Sequence, residues 1–201
     1  MIDLGVILAG GQGRRLGGVD KASLMLGNAT LHEIVADKLS GACRSLIVVA
    51  PDKPVWADSA GIRFIPDATS SGGKSLGPAG GLLGALRHLA SYAPAGRLVT
   101  APVDAPFFPE TVAGILSGAI RDEPGAIVRA NGRLQPVFGI WSAAVLADME
   151  RLVFGANERA LYRIVESLRA AIVDVETGDG AFLNINTPED LERARKLAKD
   201  E

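Results

Sequence analysis

Short apolar runs alternate with helical spacing through the first half of the chain. Leu4–Leu8, Ser45–Val49, Ile62–Ile65 and Leu98–Pro102 have the length of buried strands and run out into Gly, Pro or Asp. Between them, Leu31, Ile34, Val35 and Leu39, and then Leu82, Leu83, Leu86 and Leu89, recur at steps of three and four, which predicts helices over 31–39 and 82–90. Strands separated by helices in this rhythm predict right-handed βαβ units. The expected fold class is therefore α/β of a doubly wound, Rossmann-like type, with a mostly parallel sheet flanked by helices. Ligands of such sheets lie beyond the carboxyl ends of the strands. Three features fall there: the stretch after Leu8, Asp67 after Ile65-Pro66, and Asp104 after Pro102-Val103.

The second half is less regular. Strands over Ala126–Ala130 and Pro136–Trp141 flank Asn131-Gly132, a strong turn dipeptide. Helices are expected over 143–154 and 158–168, and a strand over Ala171–Val175. A last helix opens with Thr187 as N-cap, Pro188 at the first helical position and the acids Glu189 and Asp190 in the first turn. Asn184 and Asn186 flank Ile185 on a strand-like stretch, which would aim both side chains at one face. There they would bond a polar ligand or cap the helix at 187. Trp141 is expected in the core and Trp56 as a partly exposed helix residue; His32 and His88 are expected on polar helix faces without a catalytic part. No linker, charge block or repeat interrupts the pattern, so residues 1–201 are expected to form one domain, the second half shaping the pocket of a second substrate.

The strand at Leu4–Leu8 empties into Ala9-Gly10-Gly11-Gln12-Gly13-Arg14-Arg15-Leu16-Gly17-Gly18-Val19-Asp20-Lys21. With few side chains in the way, backbone N–H groups at Gly10, Gly11 and Gly13 can turn toward one anion, and Arg14, Arg15 and Lys21 add positive charge. Ordering so much glycine is entropically expensive, which makes the stretch a poor plain connector and a good phosphate loop. Two better-known loops are excluded. The dinucleotide fingerprint needs glycine where Leu16 stands, and a P-loop ending at Gly73-Lys74-Ser75 would need glycine at Ala68.

Composition narrows the partners. Of 201 residues 24 are glycine, about 12% against a usual 7%, and they cluster at 10–18, 72–84 and 178–180, marking loops rather than low complexity. A formal net charge of −2 with no basic run argues against nucleic acid as a partner. Cys43 stands alone, which rules out an internal disulfide and a cysteine zinc cluster and makes it a structural thiol. An acid at Asp3 and no apolar run of membrane length lead to the expectation of a cytoplasmic protein with no membrane partner.

Asp104 is the sharpest single candidate. It ends an apolar strand ahead of Ala105-Pro106-Phe107-Phe108-Pro109, and a carboxylate there can hold Mg²⁺ together with phosphate oxygens, the alternative being an Asx-turn. Lys21, a compact charge, can neutralise phosphate oxygens. Gly77-Pro78-Ala79-Gly80-Gly81 opens the helix at 82, and Gly80 and Gly81 would admit a planar ring or anion, or serve packing against the sheet.

Leu8-Ala9-Gly10-Gly11-x-Gly13-x-Arg15-x-Gly17-Gly18-x-Asp20-Lys21, Asp67, Gly77-Pro78-Ala79-Gly80-Gly81, Asp104-Ala105-Pro106-Phe107 and Asn184-Ile185-Asn186-Thr187-Pro188-Glu189-Asp190-Leu191 together resemble the signature of the molybdenum cofactor guanylyltransferases, or molybdopterin-guanine dinucleotide synthases. They stand in the family's order from residue 8 to 191. The resemblance implies a domain using GTP and Mg²⁺ in its first half, to about residue 105, and molybdenum-molybdopterin in its second. It implies that Leu8, Ala9 and Gly10 meet guanine through the backbone, and that Asp67 accepts from the ring NH and amino group. Gly11, Gly13, Gly80 and Gly81 would help bind the nucleotide. Lys21 and Arg15 would serve catalysis at the phosphates, Asp104 would bind Mg²⁺, and Asn184 and Asn186 would bind the acceptor. The chain departs from the family with Val103 and Ala105 around Asp104, with Val49-Ala50-Pro51 where a polar residue is common, and with a longer loop over Thr69–Leu76 that carries Lys74.

The implied reaction moves GMP from GTP to the terminal phosphate of molybdopterin and needs no general base, because a phosphate monoester is already anionic. The neighbouring alternatives are transfer from CTP or to a sugar phosphate. From another class comes a GTP-binding adaptor without turnover, docking on molybdoenzymes or their chaperones. An adaptor could dispense with Asp104 and Lys21.

Overall fold

The computed structural model describes residues 1–10 and 20–200. In chain order its elements are β1 (Leu4–Leu8), β2 (Met25–Leu26), β3 (Ala29–Thr30), α1 (Leu31–Ser40), β4 (Leu46–Ala50), α2 (Trp56–Ser59), β5 (Arg63–Pro66), α3 (Pro78–Tyr92), β6 (Arg97–Pro102), α4 (Val112–Ala119), β7 (Gly125–Ala130), β8 (Arg133–Ser142), α5 (Leu146–Glu150), α6 (Leu161–Leu168), β9 (Ala171–Val175) and α7 (Pro188–Asp200). Seven strands form one sheet in the order β5-β4-β1-β6-β8-β7-β9. Only β8 runs against the others; β5, β4, β1 and β6 are parallel neighbours, and β7 and β9 pair in parallel beyond it. The expected doubly wound α/β architecture is the one observed.

Every residue of β1 is buried, as a central parallel strand requires. Its alternation divides the core. Leu4, Val6 and Leu8 join Leu82, Leu83, Leu86 and Leu89 of α3 together with α5 and α6, whereas Ile7 faces the cluster built with α1, α2 and α4. Gly5 sits so close to the next strand that a Cβ would meet Leu46 Cδ2 at 2.5 Å. A third, smaller cluster of Leu26, Leu31, Ile185 and Ala194 ties the β2–β3 hairpin, α1 and α7 together. Because the order reverses at β1, whose successors go to one side while β6 lies on the other, a crevice opens at the carboxyl ends of β1 and β6, where Leu8 pairs with Pro102.

The structure corrects several sequence expectations. The helix over 143–154 is a 3₁₀ turn at Ala143–Val145, then α5, then a π turn at Arg151–Gly155. Asn184 and Asn186 lie on irregular chain, because the buried Ile185 donates its N–H to the carbonyl of Asp104 (2.7 Å) and not to a strand ladder. Trp56 and His32 are both buried and stack with ring centroids 4.2 Å apart, His32 Nδ1 lying 3.0 Å from both the Ala22 carbonyl and Thr30 Oγ1. Trp141 is fully buried as expected, and burial pushes the Cys43 thiol up to about 12, in keeping with a structural role. Asn131 and Gly132, both at positive φ, make the tight β7–β8 turn, from which β8 starts three residues earlier than Pro136.

Candidate active site

A cavity of about 500 Å³ occupies that crevice, a size suited to a nucleotide-sized ligand. Its wall is drawn from the ends of β1 (Leu8, Ala9, Gly10), β4 (Val49, Pro51), β5 (Asp67) and β6 (Pro102, Val103, Asp104), from the start of α3 (Gly77, Pro78, Gly81), and from Lys21, Gln135, Val137, Phe138 and Asn184. The departure from family pattern at Val49-Ala50-Pro51 is thus an apolar wall.

Asp67 leaves β5 with its N–H bonded to the Ala50 carbonyl (2.9 Å), and its side chain accepts no hydrogen bond from a described residue. Burial raises its carboxyl to about 6, since the charged form has lost water and no described residue compensates it. The close walls around it explain two glycines. A Cβ on Gly81 would meet Leu8 Cδ2 at 2.9 Å and Asp67 Oδ1 at 3.5 Å, so Gly81 keeps the space beside the carboxylate open. Gly80 does not line the cavity: its Cβ would sit 2.5 Å from the Ala68 carbonyl oxygen, so packing against the chain after β5 accounts for it. Gly77, at φ +60 and ψ −149, takes a backbone conformation suited to glycine where the chain turns into α3. The Thr69–Leu76 loop closes on itself through bonds from Ser70 N–H to the Lys74 carbonyl (3.0 Å) and from Lys74 N–H to Ser70 Oγ (3.1 Å).

Across the cavity, Lys21 stands on a short 3₁₀ turn that Asp20 caps, accepting from Ala22 N–H and from Ser23 Oγ at 3.1 Å each. Lys21 Nζ donates to Asp104 Oδ2 (3.1 Å) and to Asn186 Oδ1 (2.5 Å); its side chain is only 13% exposed. Among the described residues no group donates a hydrogen bond to Asp104 Oδ1. Asn184 lines the cavity, whereas Asn186 does not; its oxygen is turned to Lys21. Gly11, Gly13 and Arg15 lie outside the described residues.

The sequence reading missed the contribution of β8. Its pairing with β7 jumps from Gly139 opposite Ile127 to Gln135 opposite Val128, leaving 136–138 as a bulge. Pro136, which has no N–H to give a ladder, is the signal that could have marked it. Thr100 holds the bulge, donating to the Val137 carbonyl (2.6 Å) and accepting from Gly139 N–H (3.3 Å), and the bulge carries Val137 and Phe138 to the cavity. Gln135 and Asn184 also line a second recess with Asn131, Arg133 and Arg193. Neither arginine has a partner among the described residues.

A crevice at the switch point of a doubly wound sheet, with a lysine–carboxylate pair on its wall, is the arrangement of a nucleotide-binding α/β protein, and its relatives are nucleotidyltransferases. Residues 5–172 match the family described as the MobA-like NTP transferase domain, and the chain belongs to the molybdenum cofactor guanylyltransferases within it. It is 38% identical to the molybdenum cofactor guanylyltransferase of Cereibacter sphaeroides over 197 residues, covering 97% of this chain and 96% of that one. With the enzyme of the same name from Rhodopseudomonas palustris it shares 33% over 201 residues, covering 98% and 92%. The crystal structure of molybdopterin-guanine dinucleotide biosynthesis protein A from Archaeoglobus fulgidus superposes with a TM-score of 0.73 at 25% identity, covering 98% of this chain and all of that one.

Proposed function

We propose that the protein transfers GMP from GTP to the terminal phosphate of molybdenum-molybdopterin, giving molybdopterin guanine dinucleotide and pyrophosphate. The observation that carries this reading is the buried Asp67 carboxylate, without a partner among the described residues, in an apolar-walled cavity opposite Lys21 and Asp104. A carboxylate accepts the ring NH and the amino NH of guanine together, while the cytosine edge sets its own acceptors against it. Leu8, Val49 and Pro51 would cover the ring, and the backbone of Leu8, Ala9 and Gly10 would meet its edge.

Asp104 would fit Mg²⁺: the ion takes one or two carboxylates plus phosphate oxygens, and among the described residues only Oδ2 of Asp104 is engaged, by Lys21. When bound, Mg²⁺ supplies charge stabilisation to the phosphates. An oxygen of the acceptor's terminal phosphate forms a bond to the α-phosphorus of GTP while the bond from that phosphorus to the bridging oxygen breaks. The electron pair leaves with pyrophosphate. Lys21, with Arg15 and the Gly11 and Gly13 N–H groups in the same task, offsets the charge that develops. Gln135 and Asn184 join the cavity to the recess of Arg133 and Arg193, which would take the rest of the anionic acceptor. The reading places the protein in the cytoplasm, passing its product to molybdoenzymes or their chaperones; no described helix is long and apolar enough to cross a membrane.

Calorimetric titration of each nucleoside triphosphate with Mg²⁺ tests the guanine site. GTP is expected to bind at least about tenfold more tightly than CTP, about 1.4 kcal/mol, and equal affinities would remove the role given to Asp67.

A further inference from the structure

The start of α7 is fastened to Lys21 by a chain of bonds that an acceptor-binding loop does not need. Asp190 Oδ2 accepts from the backbone N–H of both Asn186 and Thr187 (2.9 Å each), and Asp190 N–H donates back to Thr187 Oγ1 (3.2 Å). Those bonds to the charged form, with the backbone of Asn186 foremost and Lys21 nearby, hold the Asp190 carboxyl below its ordinary value. Ile185, fully buried between the two asparagines, bonds the Asp104 carbonyl. The segment is therefore fixed on both sides of Asn186. Its side chain then spans to a residue 165 positions away, with Oδ1 at 2.5 Å from Lys21 Nζ. Lysine has donors only, so the amide must present its oxygen.

We infer that Asn186 is a positioning residue for Lys21: the capped start of α7 holds the lysine ammonium beside Asp104, while Asn184 keeps the contact with the acceptor cavity. The choice of an amide has a physical reason. A second carboxylate opposite Lys21 would neutralise it from both sides, whereas a neutral oxygen fixes direction and leaves charge for a phosphate. The lysine's stem follows the flexible-chain rule of four rotatable carbons, so two acceptors at fixed places are what limit its wandering. The inference rests on the nucleotidyl-transfer reading above for the task of Lys21, and on the hydrogen bonds alone for the contact.

Two readouts separate these. In protein labelled with ¹⁵N-lysine, the Lys21 ammonium resonance is expected to be slow in hydrogen exchange, and Asn186→Ala or the shorter Asn186→Ser should speed that exchange at least about tenfold. Unchanged exchange in both variants overturns the contact, whatever the activity. In guanylyl transfer, Asn186→Ala should lower kcat about 10- to 100-fold with both KM values within about threefold. In a Lys21→Met background the same substitution should cost less than about twofold, because the residue it acts through is gone. A rise in acceptor KM with kcat intact, or an equal loss in both backgrounds, would make Asn186 a direct acceptor contact instead. Asp190→Ala, which removes the anchor without touching a substrate, should move kcat in the same direction. Transfer by the wild type is read first, so failure of the transfer reading is distinguished from failure of the positioning.

Discussion

Asp67 and Asp104 are carboxylates beyond the ends of β5 and β6, with β4 and β1 between them in the sheet, and their surroundings differ. Asp104 is paired with Lys21 through Oδ2 at 3.1 Å, and its other oxygen is the one it would offer to a metal in the proposed reaction. Asp104→Ala is expected to lose at least about 100-fold in transfer rate, about 2.7 kcal/mol of transition-state stabilisation; near wild-type turnover would end its role. Asp67 has no hydrogen-bond or ionic partner for its side chain among the described residues. Its carboxyl is raised from 3.8 to about 6, so the folded protein keeps a proton there that the unfolded chain releases between those values. Its ionisation therefore costs stability, a cost that grows from about pH 4 and is complete above about pH 6. Asp67→Asn should raise the melting temperature at pH 7.5 and leave it unchanged below pH 4, while weakening GTP binding at least about tenfold at pH 7.5. A lower melting temperature at pH 7.5 would contradict the desolvation cost of the Asp67 carboxylate. In the wild type, GTP affinity should fall as pH drops through about 6. At this scale the sequence marked Asp67 and Asp104 because each follows a strand of legible length, and Lys21 because it closes the glycine-rich stretch. The bond between Lys21 and Asn186 was not legible, since no local pattern links positions so far apart, and the burial of His32 depends on a stacking partner from another helix.

Among the elements, α3 shows how glycine spacing serves the site indirectly. Gly80 and Gly84 press against the end of β5 and the chain after it: their Cβ atoms would meet the carbonyl oxygens of Ala68 at 2.5 Å and Pro66 at 2.7 Å. The helix can thus lie close enough for Gly81 to face Asp67. Gly80→Ala is expected to destabilise the fold by about 1–3 kcal/mol through overpacking. Gly114→Ala in α4, where nothing lies within 4 Å, should stabilise it by about 0.5–1 kcal/mol. Denaturant unfolding of both variants checks the contrast, and equal effects would refute the packing explanation. The strands β1, β6 and β9 and the cap of α7 were legible because strand length, turn chemistry and the Thr187-Pro188 start are local signals. The β8 bulge and the broken segment after Ser142 were not. Thr100 and the Val137 carbonyl meet only once two strands pair, and the turns over 143–155 follow the packing of Val145, Met149 and Val153 against α3 rather than a 3.6-residue period.

For the whole molecule, the reversal of strand order at β1 gathers groups from both halves of the chain around one crevice. Asp67 lies at one end of the cavity wall, the Lys21–Asp104 pair at the other, and the recess of Arg133 and Arg193 continues past Gln135 and Asn184. On the proposed reading that order would take a base, a phosphate chain and an anionic acceptor in turn. Chelation of divalent metal is expected to stop transfer and added Mg²⁺ to restore it; transfer that persists under chelation would remove the metal role of Asp104. The most direct test supplies Mg²⁺, molybdenum-loaded molybdopterin and each α-labelled nucleoside triphosphate in turn, and follows label into the pterin. Label from GTP alone is the predicted result. Label from CTP, or GTP bound with no label transferred, would contradict it.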